Sequence, residues 1–375
     1  MKVGILKENG NEKRVAVMPE TVDSLKKLGV DIIAETGAGS NSFVSDANYQ
    51  EAGATIASRK DVIKNSDLLL FINPLTPDEI KSIEENKVLI GALNPFFNAE
   101  LVSVLAKRKI TSFSMELVPR ISRAQSMDIL SSMATVAGYK AVLDAAMNLS
   151  KFFPMFMSAA GTIKPAKVLI LGAGVAGLQA IAIARKLGAV VEVFDVRSAV
   201  REEVKSLGGK FIEVEGATED AAAGGYAVEQ TEEFKQKQSE LIQEHAIKSD
   251  VVICTAQIPG KKAPVLLKKE SVEKMKPGSV VIDLAASTGG NCELTKDNEV
   301  VVHNQVKIIG NSNYAAEMPS DASTMFGKNL FNFLKLLVDD KGNINLDFND
   351  EVIKGTCLTH NGEVMHARVK ELLKI

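Results

Sequence analysis

Lys167-Val-Leu-Ile-Leu-Gly172-Ala-Gly174-Val-Ala-Gly177 is the stretch that decides the fold. An apolar run feeds glycines spaced G-x-G-x-x-G, and a helical pattern follows at once. Gly172 permits a tight turn and Gly174 lets backbone approach a phosphate. Gly177 lets the helix sit against the strand, with its N-terminal amides facing negative charge. The next apolar run, Val190 to Phe194, ends at Asp195. An acid there binds the ribose hydroxyls of an adenosine and repels a 2′-phosphate, so the pattern reads as a site for NAD rather than NADP. Arg197 argues the other way, but Asp195 holds the discriminating position. The competing reading is a glycine-rich turn in an ordinary α/β fold.

Composition sets the frame for this motif. With 375 residues, 46% hydrophobic and 24% charged, the chain can fill two or three cores of usual domain size. A net charge of −3 gives no general attraction to nucleic acid or to an anionic membrane. Cys254, Cys292 and Cys357 form no CxxC pair, which suits a reducing cytosol and argues against a disulfide scaffold or a zinc site. The N-terminus, Met1-Lys2-Val3-Gly4-Ile5-Leu6-Lys7-Glu8, reads as a strand entering a charged loop and not as a signal peptide. No apolar window is long enough to span a bilayer.

Outward from the motif, both halves alternate strands and helices. In the first half, Val3–Leu6, Val30–Ala34, Leu68–Ile72, Val88–Leu93 and Thr111–Phe113 read as strands. Pro19–Leu28, Pro77–Glu84 and Ala99–Lys107 read as helices, each proline standing where a first turn tolerates it. Thr36-Gly37-Ala38-Gly39-Ser40 opens no convincing helix and reads as a loop. Met127 to Leu149 reads as one long apolar helix interrupted by Gly138. Strands at Val168, Val190, Phe211, Val251, Val280 and Lys307 follow, then a helix from Ala322 to Val338 that returns to the first half. The expected architecture is α/β: two Rossmann-like, doubly wound parallel-sheet domains joined by long helices, with a ligand cleft between them. Residues 1–138 plus 322–375 form a discontinuous N-terminal domain, and 139–321 form the dinucleotide-binding domain. Residues 216–240, with Gly224-Gly225-Tyr226, read as a mobile loop before a solvated helix; a plain surface insertion is the alternative.

Chemistry turns on Pro119-Arg120-Ile-Ser-Arg123-Ala-Gln125-Ser126-Met127-Asp128, a polar loop opening into the long helix. Arg120 and Asp128 have opposite charge and can pair. Gln125 offers an amide, and Ser131 follows Asp128 on the same helix face. The same residues also read as a plain helix start, with Ser126 as its cap and Asp128 favoured by the helix dipole.

The chain resembles the alanine dehydrogenase/transhydrogenase family. Within it, the likeness is to the soluble NAD(H)-binding component, domain I of the alpha subunit, of proton-translocating NAD(P) transhydrogenases. The likeness runs through Lys13-Arg14-Val15-Ala16-Val17-Met18-Pro19-Glu20, the Arg120–Asp128 loop, Ser131-Ser132-Met133 to Ala137-Gly138-Tyr139, and the glycine motif. It continues through Gln257-Ile258-Pro259-Gly260-Lys261, Asp283-Leu284-Ala285, Gly289-Gly290-Asn291 and Asn311-Ser312-Asn313. The resemblance implies that Arg120, Gln125, Asp128 and Ser131 surround the nicotinamide end, with Gln125 near a facing NADP(H). It also implies that Val175, Asp195, Val196, Arg197, Gly225, Gln238 and Gln257 lie around the dinucleotide, with Tyr226 on a loop that closes over it.

Within that family the competing activity is alanine dehydrogenation. By resemblance, its lysine, histidine and aspartate fall here at Asn73, Asn94 and Ser287, none of which moves a proton at neutral pH as those groups do. Only the carboxylate-binding arginine is kept, as Arg14. His245, His303, His360 and His366 show no partner spacing. Hydride exchange between two nicotinamides needs no general base; it needs two rings held together and water kept out. One G-x-G-x-x-G and no membrane span imply that NADP(H) and proton movement belong to partner subunits. The expected state is a homodimer in the cytoplasm, peripheral to the inner membrane through those partners, with the NAD component as a separate polypeptide. A third reading is a catalytically silent NAD(H)-binding regulatory subunit.

Overall fold

A computed structural model of the chain describes residues 1–214, 231–258 and 260–373. They split into two compact units, Met1–Met133 with Ala315–Ile375, and Ala134–Tyr314. The first unit holds an eight-stranded sheet. Its strand order is Glu363–Val364, Cys357–His360, Thr111–Ser114, Val88–Gly91, Leu68–Leu70, Lys2–Ile5, Asp31–Glu35 and Thr55–Ala57. All neighbours are parallel except the two pairings made by Cys357–His360. The second unit holds seven strands in the order Lys210–Phe211, Val190–Phe194, Lys167–Leu171, Val251–Cys254, Val280–Asp283, Val306–Gly310 and Glu299–His303. Only the last pairing is antiparallel.

The unbroken apolar runs follow from burial on both sheet faces. In Lys167–Leu171, Val168 and Ile170 enter one core while Leu169 and Leu171 enter the opposite one. Leu68 and Leu70 likewise face one core of the first unit and Leu69 the other. The fold is therefore α/β with two doubly wound, parallel-dominated sheets.

Local rules set the helix ends. Pro19 and Pro77 occupy first turns, and Thr76 and Glu79 close a reciprocal capping box at Pro77–Ser82. The long helix runs Ile129–Asn148. Gly138 has a packing reason: a Cβ there would lie 2.2 Å from the Ala176 carbonyl oxygen. The returning helix, Pro319–Leu337, buries Phe326, Leu330, Phe333 and Leu334 in the first unit's core.

Several elements were not apparent from the sequence. Asp46–Glu51, Thr55–Ala57 and Arg59–Asn65 are short and largely polar, so hydrophobic periodicity is weak there; Ser45 and Ser58 cap the two helices. The hairpin Phe156–Ser158 with Gly161–Ile163 is a separate two-stranded sheet. Among the described residues no helix is long and apolar enough to cross a membrane.

Candidate functional site

In the second unit, the strand Lys167–Leu171 has Val190–Phe194 on one side and Val251–Cys254 on the other. Strand order reverses there, and beyond such a point open α/β sheets bind ligands at the carboxyl ends of their strands. The glycine turn lies at that place. Gly172 has φ +107°, a conformation side chains disfavour. A Cβ on Gly177 would sit 1.9 Å from the Gly172 carbonyl oxygen, so the helix Val175–Lys186 approaches the strand as only glycine allows. Among the described residues, a Cβ on Gly174 would meet nothing within 4 Å. Among the described residues, no side chain caps that helix N-terminus, where the first amides lack intrahelical partners. Val175, its first residue, is exposed.

Asp195 stands beside this turn, fully engaged. Its Oδ2 accepts from the Ala173 amide at 2.7 Å and from Arg197 Nη2 at 2.8 Å. Its Oδ1 accepts from the Arg197 amide and Nε, both at 2.9 Å. These four donors fill the carboxylate's ordinary acceptor sites. Hydrogen bonding to Asp195 holds the Arg197 guanidinium above its usual range. Val196, between them, is half-buried.

The neighbouring strand ends are built from buried polar groups. Thr255 Oγ1 donates to the Leu171 and Gly172 carbonyls. The side chain of Asn291 accepts from the Ala256 amide and donates to the Ala256 and Pro264 carbonyls. Asp283, with no exposed surface, gathers the amides of Ala285, Asn291 and Cys292 and the Thr295 hydroxyl. This shapes the Ala285–Cys292 loop, where the Ser287 amide donates to the Ser312 hydroxyl. Gln257 donates to the Leu284 carbonyl at 2.9 Å. Gln238 lies on the helix Glu232–Lys248. Gly225 and Tyr226 lie outside the described residues.

In the first unit, Asp128 is the cap of the long helix. Its Oδ1 accepts from the Ser131 amide at 2.9 Å and its Oδ2 from the Ser131 hydroxyl at 2.6 Å. Ser126, the sequence candidate for the cap, is not the cap: the stretch Ser122–Met127 forms tight 3₁₀ turns, and regular helix begins only after Asp128. Arg120 and Gln125 are exposed on the same loop.

Glu8 and Glu12, which sequence reasoning passed over, lie at the first unit's own strand-order reversal, around Lys2–Ile5. Glu8 accepts from the Ile72 and Asn73 amides at 2.6 and 3.0 Å. Glu12 holds Arg14 through two bonds, Nε–Oε1 at 2.8 Å and Nη2–Oε2 at 2.6 Å. Arg14 Nη1 also reaches Met133 Sδ at 3.0 Å. Asn73 Nδ2 donates to both Glu8 and Glu12. Asn94 donates its amide to Glu116, which also takes the Leu93 amide and the Ser114 hydroxyl. Burial raises the Glu12 carboxyl, but hydrogen bonds and charge from Arg14 outweigh it and hold it below its ordinary value. Burial pushes Glu116 up, and pushes Glu8 up to about 7. The available clue was position alone: acids just beyond the carboxyl end of the first strand.

The cysteines take no part in this chemistry. All three are buried, and burial pushes the Cys292 and Cys357 thiols up to about 11 and about 12, and Cys254 well up. Among the described residues no three His, Cys, Asp or Glu side chains converge to hold a metal.

Comparison with known proteins gives a consistent result. Residues 4–137 match the family model "Alanine dehydrogenase/PNT, N-terminal domain", and residues 141–367 match "Alanine dehydrogenase/PNT, C-terminal domain". The chain is 49% identical to the first part of NAD(P) transhydrogenase subunit alpha of Rhodospirillum rubrum, over 98% of each sequence. A crystal structure of transhydrogenase from Sinorhizobium meliloti superposes with a TM-score of 0.89 at 45% identity, covering 97% of this chain and all of that one. An L-alanine dehydrogenase structure shares the fold, with a TM-score of 0.82 at 23% identity over the whole of this chain and 99% of the other.

Glu8 supplies a pH test. Its carboxyl is raised from 4.5 in the unfolded chain to about 7 in the fold. The folded state therefore holds the extra proton between those values. The stability this proton contributes is complete below pH 4.5 and lost as pH rises through 7. A shift of that size is worth about 3 kcal/mol. Urea unfolding of the native chain is expected to show this decline, and Glu8→Gln to flatten it. An unchanged slope in Glu8→Gln would assign the decline to other groups.

Proposed function

The chain belongs to the alanine dehydrogenase/PNT family, and from that premise we propose that it is the NAD(H)-binding subunit of a proton-translocating transhydrogenase. NADH bound to this chain supplies a hydride to NADP⁺ on a partner subunit, and membrane-spanning partners couple that transfer to proton movement. The chain itself stays peripheral to the cytoplasmic membrane. The residues fit a dinucleotide. Among the described residues nothing crowds Gly174 and no side chain caps the first amides of Val175–Lys186, and Asp195 lies beside the turn.

One observation carries the choice of reaction: the charged side chains that would grip an amino-acid substrate or a reacting ring are already engaged within the chain. By the resemblance, Asn73 and Asn94 fall where an amino-acid dehydrogenase has its lysine and histidine. Arg14, the arginine that would hold a substrate carboxylate, is neutralised by Glu12. Asp128 is bonded to Ser131. Such a site orients a ring and shields it, which suffices for hydride exchange between two nicotinamides. Arg120, Gln125, Asp128 and Ser131 are the residues we assign to the nicotinamide end. Val175, Val196, Arg197, Gln238 and Gln257 join Asp195 around the rest of the dinucleotide.

The assembly is proposed to be a homodimer. The hairpin Phe156–Ser158/Gly161–Ile163 exposes Met155, Phe156, Met157 and Ile163, with Phe152 stacked on Phe156. An isolated two-stranded hairpin is marginal in water, and a second copy would cover its apolar side chains. Sedimentation equilibrium is expected to give twice the chain mass, and Met157→Asp to weaken association. A monomer at micromolar concentration would rule this assembly out.

Cofactor preference follows from Asp195. Its carboxylate opposes a 2′-phosphate, and its removal also frees the Arg197 guanidinium, which favours one. Asp195→Ala is expected to weaken NADH binding and to narrow the preference over NADPH by about tenfold or more, equivalent to about 1.4 kcal/mol. Equal calorimetric affinities of the unmodified chain for the two nucleotides would reject the assignment.

The reaction itself is tested by mixing the chain with an NADP(H)-binding component and following transfer from NADH to a thio analogue of NADP⁺. Asp128→Asn and Gln125→Asn are expected to slow transfer by about tenfold to a hundredfold, since a misplacement of ~1 Å can cost about a hundredfold. NADH affinity is expected to stay nearly constant. Full activity in both variants, or NADH oxidation on adding pyruvate and ammonium to the chain alone, would sink the reading.

A further inference from the structure

Gln125 and Asp128 sit on a loop that is held from two directions. Ser122–Met127 is a run of tight turns with Gln125 and Ser126 exposed on it, while Ala124 and Met127 enter the core and Asp128 closes on Ser131. A further grip on the run comes from the far end of the chain. Asn329 and Asn332 lie on adjoining turns of the helix Pro319–Leu337, three positions apart and so on one face. Each donates Nδ2 to a single acceptor, the Ser126 carbonyl, at 2.8 and 3.2 Å. A carbonyl oxygen has two lone pairs, so this pair of amides fills it. On the other side of the run, Arg123 takes Asp350 through two bonds of 2.9 Å each and reaches Glu351 at 3.4 Å. Asp350 is itself held, as the cap of the helix Glu351–Thr356.

Asn329 shows that this grip is maintained at a cost. The residue is 5% exposed, deep among apolar neighbours of the same helix. Its Oδ1 is buried and has no hydrogen-bond partner among the described residues. An unpaired buried acceptor is destabilising, and an apolar residue would avoid that cost. The Nδ2 bond to Ser126 is what the asparagine supplies in return. That bond fixes the peptide plane joining Ser126 to Met127, and with it the backbone directions on either side, toward Gln125 and toward Asp128.

We propose that Asn329 and Asn332 are positioning residues for hydride transfer, setting the placement of Gln125 and Asp128 through their shared hold on the Ser126 carbonyl. The proposal rests on the assignment of Gln125 and Asp128 to the nicotinamide end.

Three variants and three readouts test it. Asn332→Asp keeps the shape but turns a charged acceptor toward the carbonyl. Asn332→Gln keeps a donor. Asn329→Ala removes the buried amide. Hydrogen exchange in residues 122–128 of the chain alone reads the grip, calorimetry with NADH reads binding, and transfer to the thio analogue of NADP⁺ reads the chemical step. Asn332→Asp and Asn329→Ala are expected to raise exchange in that segment, leave the NADH Kd within about threefold, and slow transfer by about tenfold or more. Asn332→Gln is expected to retain most of the rate. Should Asn329→Ala fold poorly, Asn332→Asp, on a half-buried position, still decides the matter. Unchanged exchange in Asn332→Asp would overturn the grip. Raised exchange with undiminished transfer, or a loss of rate matched by a loss of NADH binding, would overturn the positioning role. No transfer by the unmodified chain would instead overturn the functional assignment and, with it, any positioning role, whatever the exchange showed.

Discussion

The approach of one backbone to another at Gly172 and Gly177 is the constraint on which the second unit depends. The Gly172 carbonyl lies where a Cβ of residue 177 would be and also accepts the Thr255 hydroxyl. Helix, strand and neighbouring strand end are thus tied to one oxygen. Any side chain at 177 would push the helix off the strand and turn its amides away from the space above Gly174. The doubly buried strand Lys167–Leu171 supplies the rigidity that makes this placement reproducible.

Around that anchor, and around the matching reversal in the first unit, acids are used as structural clamps. Asp283 collects four donors. Asp195 collects four from Ala173 and Arg197. Glu12 neutralises Arg14, and Asp128 closes on Ser131. A carboxylate whose acceptor sites are filled by amides and guanidinium groups is a poor proton carrier and a good positioner. The common pattern shows acids used in each unit to hold backbone and neighbouring side chains in place. Membership of a family that also contains amino-acid dehydrogenases shows that the scaffold does not dictate the chemistry; the residues at the strand ends do.

Much of this was legible in the chain. Continuous apolar runs separated by amphipathic helices gave the parallel sheets, because burial on both faces leaves such runs and little else. The glycine spacing located the turn, since only glycine tolerates φ +107° at 172 and the contact at 177. Short polar elements such as Asp46–Glu51 and Arg59–Asn65 escaped notice because caps rather than periodicity define them. Ser126 was the cap expected from residue type, but the helix begins two residues later and Asp128 takes that role, accepting from the Ser131 amide and hydroxyl. Glu8, Glu12 and Met133 came together through long-range topology, which no local pattern encodes.

Separation along the chain also bears on how the molecule is made. Ser126 and Arg123 leave the ribosome long before Asn329 and Asp350 exist, with sequence separations of 203 and 227 residues. At synthesis rates of about 5–20 residues per second, the loop waits on the order of 10–40 s for its partners. The core surfaces that await Phe326, Leu330 and Phe333 wait with it. Ala134–Tyr314, whose contacts close within one continuous stretch, emerges complete in that interval. Birth order therefore runs opposite to chain order: the segment that begins the polypeptide is the last to acquire its finished core. Until then, its apolar faces are the nascent chain's main exposure to chaperones and to aggregation.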